Sequence, residues 1–383
     1  MALTDKLVAI AAAIRDKAGT SEKLTLDEMP IAIAAIEAGG GSGGEDGVPN
    51  PLIYTGDCER AFGSNQYNWL IKNYADRIQT NNIIDASYMF GDSTELEEIP
   101  FDINLNQTKD VSMNYMFTQC RKLKSIGKIK CRWYSGRSMF NSCWNLRYLP
   151  EFEVSSYDSI YTSQAFGGMF SDCYSLREIP ADFLKDLGRS NLNTSTNALV
   201  YSSFQNLYTI DEIKSIPVST PTLTSNAFDS YYSFKNCYRL KKITFRTKPD
   251  GTPLTVNWKN QTIELYKGLG WLTGKDSDIT GYNSGITIDK KVVDGETYQA
   301  LKNDPDWYTG DVNYSRYNHT SAVETINSLP DTSAYLATQS GGTNTIKFRE
   351  DAGALTDGGR VGDLTEEEIA VATAKGWAVV YAV

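Results

Sequence analysis

The residues that could perform chemistry are few, and they do not form a recognisable active site. The chain has a single histidine, His319, among 383 residues, whereas catalytic triads and most catalytic zinc sites use at least one. Asp351, Asp357 and Asp363 lack the spacing of a calcium-binding EF-hand loop. The 47 acidic residues allow many chance carboxylate pairs, but their spacing singles out none as a glycosidase pair. We therefore expect no catalytic residue, no metal and no other cofactor.

The cysteines recur at one equivalent position of a repeated phrase. Four of the six do so: Cys120, Cys143, Cys173 and Cys237. Leu207 fills the same position in another copy. A position that accepts Cys or Leu is typical of a small buried hydrophobe rather than of a disulfide or a metal ligand. We predict buried free thiols, as in a reducing cytoplasm. A Cys173→Ser change should then cost about 1–3 kcal/mol by burying a hydroxyl.

The repeated phrase reads Phe, Cys, Leu and Ile at intervals of three residues, and it occurs six times. Its copies are Phe90/Ser93/Leu96/Ile99, Phe117/Cys120/Leu123/Ile126, Phe140/Cys143/Leu146/Leu149, Phe170/Cys173/Leu176/Ile179, Phe204/Leu207/Ile210/Ile213 and Phe234/Cys237/Leu240/Ile243. Successive Phe residues are 27, 23, 30, 34 and 30 residues apart. Self-similarity at such a period is the signature of a solenoid. The interval of three predicts a short helical or 3₁₀ turn, followed by a strand that starts at Leu.

Two copies of this phrase, residues 115–126 and 168–179, resemble the BspA-type leucine-rich repeat. That family has the core phrase Met/Ala-Phe-x-x-Cys-x-x-Leu-x-x-Ile, and it occurs on bacterial surface adhesins and in bacteriophage structural proteins. The resemblance covers residues 88–245 and extends to four positions in each repeat. It implies an α+β chain whose body is an irregular leucine-rich-repeat solenoid, curved for binding and without catalytic residues.

The N-terminal residues predict a separate small unit. Leu3, Leu7, Ile10 and Ile14 form one apolar stripe, which indicates an amphipathic helix, and a capping box at 25–28 begins a second helix. Residues 1–38 therefore predict a helical hairpin for attachment or oligomerisation, and residues 39–51 predict a flexible Gly-rich linker. The hairpin is similar to one in tail and tail-fibre proteins of phages of gut bacteria. We expect a homo-oligomer, with a trimer favoured, that contacts other virion proteins through this hairpin.

The segments on either side of the repeats predict caps. Residues 52–87 lack the repeat phrase and are interpreted as the N-terminal cap that a solenoid needs. Residues 246–383 are interpreted as divergent coils and a C-terminal cap. The elements predicted near the C-terminus are helices at 320–326 and 364–374 and strands at 344–348 and 376–383.

One candidate binding site follows from the repeat register. The residue after the Cys position is aromatic in four successive repeats, as Trp144, Tyr174, Tyr208 and Tyr238. Solenoid register would align these side chains into a row, preceded by Arg121. Such a row could stack on the flat faces of sugar rings. The alternative is a half-buried row that covers the Cys ladder or packs on a neighbouring subunit.

Charge and hydropathy narrow the classes of partner. The net charge of −10 and the pI near 4.9 disfavour nucleic-acid binding. No run approaches the roughly 20 apolar residues of a membrane span, and the first residues do not read as a signal peptide. The resemblances to BspA-type repeats and to phage tail hairpins together imply a phage virion protein, made in the host cytoplasm and located on the tail or particle surface. Its predicted role is a tail-fibre or tail-tip protein that binds host surface polysaccharide or protein. The alternatives are a baseplate or capsid decoration protein and a bacterial surface adhesin.

Overall fold

The computed structural model describes the repeats and most of the C-terminal region. The described residues are 51–155, 167–181, 203–218 without 208 and 217, 234, 237, 240–265, and 317–382 without 351 and 353–357. The predicted hairpin and all but the last residue of the predicted linker lie outside them. The described chain mixes helices and strands, and its strands form several small parallel sheets.

The strands are short and pair in parallel within five sheets. They are β1 (Leu52–Asp57), β2 (Ile78–Asp85), β3 (Glu98–Ile99), β4 (Ile103–Asn104), β5 (Val111–Ser112), β6 (Ser125–Ile126), β7 (Ile129–Cys131), β8 (Trp133–Ser135), β9 (Phe152–Val154), β10 (Glu212–Ile216), β11 (Lys242–Phe245), β12 (Thr262–Glu264), β13 (Asn344–Arg349) and β14 (Trp377–Ala382). The helices are α1 (Asn68–Tyr74), α2 (His319–Ser328), α3 (Ser333–Leu336) and α4 (Glu366–Ala374), with 3₁₀ turns at Asn65–Tyr67 and Val361–Asp363. The sheet orders are β1-β2-β5-β8, β3-β6, β4-β7-β9, β10-β11 and β12-β13-β14.

A stack of phenylalanine rings forms the centre of the repeats. Its seven members are Phe62, Phe90, Phe117, Phe140, Phe170, Phe204 and Phe234. Neighbouring ring centroids are 5.1–6.1 Å apart with interplanar angles of 6–20°, and every ring is at most 1% exposed. Six of the rings begin the copies of the predicted phrase. Phe62 extends the stack into residues 52–87.

The backbone around each ring follows one pattern, with left-handed residues two positions before and two positions after Phe. Those before are Arg60, Tyr88, Tyr115, Ser138 and Gly168, and those after are Ser64, Asp92, Gln119, Ser142, Asp172 and Asn206, with φ between 51° and 66°. Hydrogen bonds over three residues, such as Cys120 N to Phe117 O at 3.1 Å, close each turn. The left-handed residues prevent these turns from continuing as a 3₁₀ helix.

The strands that follow the turns are shorter than the sequence pattern predicts. They were expected to begin at the Leu position, but β3 and β6 begin two residues after Leu96 and Leu123. Pro100 separates β3 from β4, because proline has no N–H to donate to a ladder. The first two repeats therefore each place two brief strands after the turn, β3 and β4 and then β6 and β7, whereas β10 and β11 are single strands in their repeats.

Helix α2 covers the outer edge of β11 with a stripe of hydroxyl groups. Ser321 Oγ donates to the carbonyl oxygen of Lys241 at 2.5 Å, and Thr325 Oγ1 donates to that of Ile243 at 2.8 Å. Ser328 Oγ accepts from the backbone N–H of Phe245 at 3.0 Å. Spacings of four and three place the hydroxyls on one helix face, so they replace the hydrogen bonds of a further strand. Helices α2 and α4 and strands β13 and β14 confirm the elements predicted near the C-terminus.

Candidate functional site

The predicted aromatic row is partly present. The rings of Trp144 and Tyr174 lie 5.8 Å apart with an interplanar angle of 31°, and the guanidinium carbon of Arg121 lies 4.4 Å from the centre of the Trp144 ring. The three side chains therefore follow one another across successive repeats in the order that the register predicts. Tyr208 and Tyr238 lie outside the described residues, so the full row stays a prediction.

Burial limits what this row can bind. Tyr174 is only 2% exposed, whereas Trp144 is half-buried. Burial and the nearby Asp172 carboxylate raise the pKa of the Tyr174 phenol well above its usual range, so this phenol stays neutral. One face of Trp144 is covered by Arg121. At Tyr174 the structure favours the alternative in which the row covers the thiols rather than a ligand.

The thiols beneath this row form a hydrogen-bonded ladder. In four repeats the Cys Sγ lies close to the backbone oxygen of the Phe in the preceding repeat: Cys120 to Phe90 at 3.1 Å, Cys143 to Phe117 at 3.1 Å, Cys173 to Phe140 at 3.0 Å and Cys237 to Phe204 at 2.9 Å. All four are free and 0% exposed, which confirms the prediction of buried free thiols. Burial raises the pKa of each, to about 12 for Cys237. Protonated, buried thiols are poor nucleophiles and poor metal ligands.

The Cys position selects a hydrogen-bond donor as well as a small apolar side chain, a preference that was missed at the sequence level. Ser93 occupies this position in the first copy, and its hydroxyl lies 2.9 Å from the carbonyl oxygens of both Phe62 and Ser64. It is also fully buried. Ser93 in the first copy could have indicated this preference, because Ser and Cys both have a hydrogen-bond donor and Leu has none. Leu207 shows that the position also tolerates a side chain without a donor.

A second stack, on the outer side of the turns, was also missed. The rings of Tyr88 and Tyr115 lie 4.6 Å apart and nearly parallel. The guanidinium of Arg60 lies 4.4 Å above Tyr88, and that of Arg137 lies 5.8 Å from Tyr115. Each ring therefore contacts both the other ring and one guanidinium. Contacts of this kind stabilise by about 0.5–1 kcal/mol each at exposed sites.

No protein-family model matches this chain. A comparison with curated proteins also found no match. The resemblance to BspA-type repeats and to phage tail hairpins therefore depends on the sequence phrases, and the function is argued from the geometry of the described residues.

A groove lies between α1 and the segment that follows the first repeat turn. Its volume is about 640 Å³. Helix α1 is positioned by Leu70 and Ile71, which are buried in the core, and this leaves Trp69 half-buried at the groove. The opposite wall runs from Glu95 to Pro100. The groove joins residues about 27 positions apart in the sequence, so no local pattern could have predicted it.

The described residues contain no group of three or more His, Cys, Asp or Glu side chains arranged to hold a metal ion. His319 Nε2 lies 2.8 Å from Glu368 Oε2, in a pair that links α2 to α4. Within the part of the chain that the structure describes, no helix combines the length and the apolar composition that a membrane crossing requires.

Proposed function

We propose that residues 88–245 form an irregular, BspA-like leucine-rich-repeat solenoid, and that the protein is a bacteriophage tail-fibre or tail-tip protein that binds the host cell surface. The observation that carries this proposal is the regular stacking of one turn on the next. For five of the seven stacked Phe residues, the backbone N–H donates to a carbonyl of the next repeat: Phe62 to Met89 at 2.7 Å, Phe90 to Met116 at 2.9 Å, Phe117 to Met139 at 2.9 Å, Phe140 to Met169 at 3.0 Å and Phe170 to Ser203 at 3.0 Å. Side chains, turns and backbone bonds thus repeat together.

This stacking supports a binding role because it separates constant positions from variable ones. The Phe and Cys positions face inward and are buried, so they are occupied by packing and by hydrogen bonds. The outward positions differ from repeat to repeat and together form one extended surface. Such surfaces are what stacked-repeat proteins use for recognition.

The charges on this surface support an uncharged ligand. Lys124 pairs with Glu97 at 3.0 Å, and Lys128 pairs with Glu151 at 2.8 Å. Similar pairs link other neighbouring repeats. Exposed pairs of this kind contribute little stability, but each neutralises its partner locally. A neutral host polysaccharide therefore fits this surface better than a strongly charged polymer.

Attachment to the particle is assigned in this proposal to residues 1–38. As an oligomer, with a trimer favoured, the protein would present several repeat surfaces to one cell. Multivalent presentation raises the overall affinity without new contacts, which suits a surface that binds each sugar weakly.

The proposal is tested by binding of the fluorescently labelled full-length protein to intact bacteria of several gut genera. We expect saturable binding to one genus, competed by surface polysaccharide purified from that genus but not from the others. The same protein labelled after unfolding in urea is the matched control. No binding to any genus, even when the protein is presented on multivalent beads, would contradict the receptor role and favour a baseplate or capsid decoration protein.

A further inference from the structure

We infer that the groove between α1 and residues 95–100 binds a neutral sugar unit. This site differs from the aromatic row at Trp144, and it deepens the proposed function by naming where and what the protein binds. The choice of a host glycan rests on the proposed function. Sugar binding in the groove itself can be measured independently of any host cell.

The groove combines an apolar wall with polar groups, as a sugar requires. Half-buried Trp69 and exposed Pro100 supply aromatic and aliphatic surface, and Asn68 lies beside them. Ile71 and Leu96 also line the groove but are almost fully buried. A hexose has a flat face of C–H groups and a rim of hydroxyls, so it can pack on an indole and form hydrogen bonds at its edge.

Two polar atoms at the groove have no hydrogen-bond partner among the residues that the structure describes, and they are of opposite kinds. Trp69 Nε1 is a donor and Asn68 Oδ1 is an acceptor, and neither is paired. Unpaired buried polar atoms are rare in folded proteins and call for an explanation. A hydroxyl group can both accept from the indole N–H and donate to the amide oxygen. Both atoms are covered in the structure, so a small rotation of each side chain must accompany sugar binding.

The walls of the groove are held in place by amide hydrogen bonds. Asn68 Nδ2 donates to Asn65 Oδ1 at 3.0 Å. Asn65 Oδ1 also accepts from the backbone N–H of Glu95 at 2.9 Å, and Asn65 Nδ2 donates to Thr94 Oγ1 at 2.9 Å. The helix side and the repeat side are therefore linked through one asparagine, so the groove is formed before any ligand arrives.

The charges around the groove balance, which favours an uncharged ligand. Glu95 and Glu97 each pair with a lysine of the next repeat. Lys72 on the helix side and Glu98 on the opposite wall carry opposite charges, and neither has an ion-pair partner among the described residues. A cationic ligand would meet Lys72 and an anionic ligand would meet Glu98. A neutral sugar avoids both costs.

The inference is tested by saturation-transfer NMR on the full-length protein with the methyl glycosides of glucose, galactose, mannose and N-acetylglucosamine, each at about 10 mM to detect millimolar affinity. We expect at least one of them to give a saturable signal. Trp69→Phe keeps an aromatic ring but removes the N–H, and Asn68→Ala removes the acceptor. Each should weaken binding by about tenfold, the effect of one ordinary hydrogen bond. Tyr148→Ala, at an exposed residue, is the matched control and should bind as the unmodified protein does.

Three results would overturn the inference. They are no signal from any of the four glycosides, equal binding by Trp69→Phe and the unmodified protein, and loss of binding in Trp144→Phe while Trp69→Phe still binds. The last would place the sugar on the aromatic row. The cell-binding assay distinguishes the two proposals: full cell binding by Trp69→Phe rejects the groove but keeps the receptor role. Glycoside binding that Trp69→Phe abolishes, without cell binding by the unmodified protein, rejects the receptor role but keeps the groove.

Discussion

Replacement of Cys143 by Ser and by Ala tests whether the thiol ladder acts through hydrogen bonds or through volume alone. Cys143 is 0% exposed, and its Sγ lies 3.1 Å from the carbonyl oxygen of Phe117. Alanine removes the sulfur and its hydrogen bond, and leaves a small void. The Phe117 oxygen keeps one bond, from Cys120 N at 3.1 Å, so it is not left without a donor. The expected loss is about 1–2.5 kcal/mol of unfolding free energy.

Serine should cost less than alanine at this position. Its hydroxyl can donate to the same carbonyl, as Ser93 does in the first repeat. We expect a cost of about 0–1 kcal/mol for Cys143→Ser, because the hydrogen bond is kept and only a difference in size remains. The sequence alone predicted about 1–3 kcal/mol for the same change at Cys173, on the assumption that the hydroxyl would be buried without a partner. That assumption is wrong, because a hydroxyl at this position can donate to a carbonyl oxygen of the preceding repeat.

The assay is urea unfolding of the full-length protein followed by far-UV circular dichroism, with midpoints compared at equal slopes. The reciprocal pair at the first repeat is the control: Ser93→Ala should destabilise and Ser93→Cys should have little effect. If Cys143→Ser lowers the midpoint as much as Cys143→Ala does, the hydrogen bond contributes nothing and the position selects size alone.

Three further predictions follow from the same contacts. Burial raises the pKa of the ladder thiols above the value in an unfolded chain. The free energy of unfolding should therefore be highest below about pH 8.5 and should fall above it, by up to about 1.4 kcal/mol per pH unit for each thiol. Urea midpoints that stay level between pH 7 and pH 10 would contradict this. Thr325→Val removes a hydroxyl bonded to the edge of β11 and should cost about 1–2 kcal/mol, whereas Thr338→Val, at an exposed hydroxyl, should leave the thermal midpoint unchanged. Gly376→Ala should destabilise by more than about 1 kcal/mol, because φ is +84° and the added Cβ would lie 2.5 Å from Thr332 Oγ1; an unchanged thermal midpoint would refute it.

The periodic part of the fold could be predicted from the sequence because each repeat encodes the same local turn. The apolar phrase correctly indicated which side chains lie inward, and Cys120 and Phe117 are buried as expected. The phrase did not identify Phe62 as a member of the ring stack, because the positions three and six residues later are Asn65 and Asn68 rather than Cys and Leu. At those positions the chain enters α1, so the packing is retained while the phrase is lost.

The features that were missed depend on backbone conformation or on distant neighbours. Tyr88 and Tyr115 have a left-handed backbone conformation, which tyrosine does not favour. Backbone hydrogen bonds to the next repeat stabilise this conformation. The order of Arg121, Trp144 and Tyr174 followed from register alone. The burial of Tyr174 did not, because exposure depends on how the segments between the phrases pack over it.

The phenylalanine stack leaves the rest of each repeat free to change in length. A step of 23 residues from Phe117 to Phe140 gives a ring separation of 5.4 Å, and a step of 34 residues from Phe170 to Phe204 gives 6.1 Å. Eleven additional residues thus enter the chain while the ring separation changes by less than 1 Å. Insertions and deletions between the phrases therefore offer a route of divergence in which the length of each repeat changes while the stacked interior is inherited unchanged.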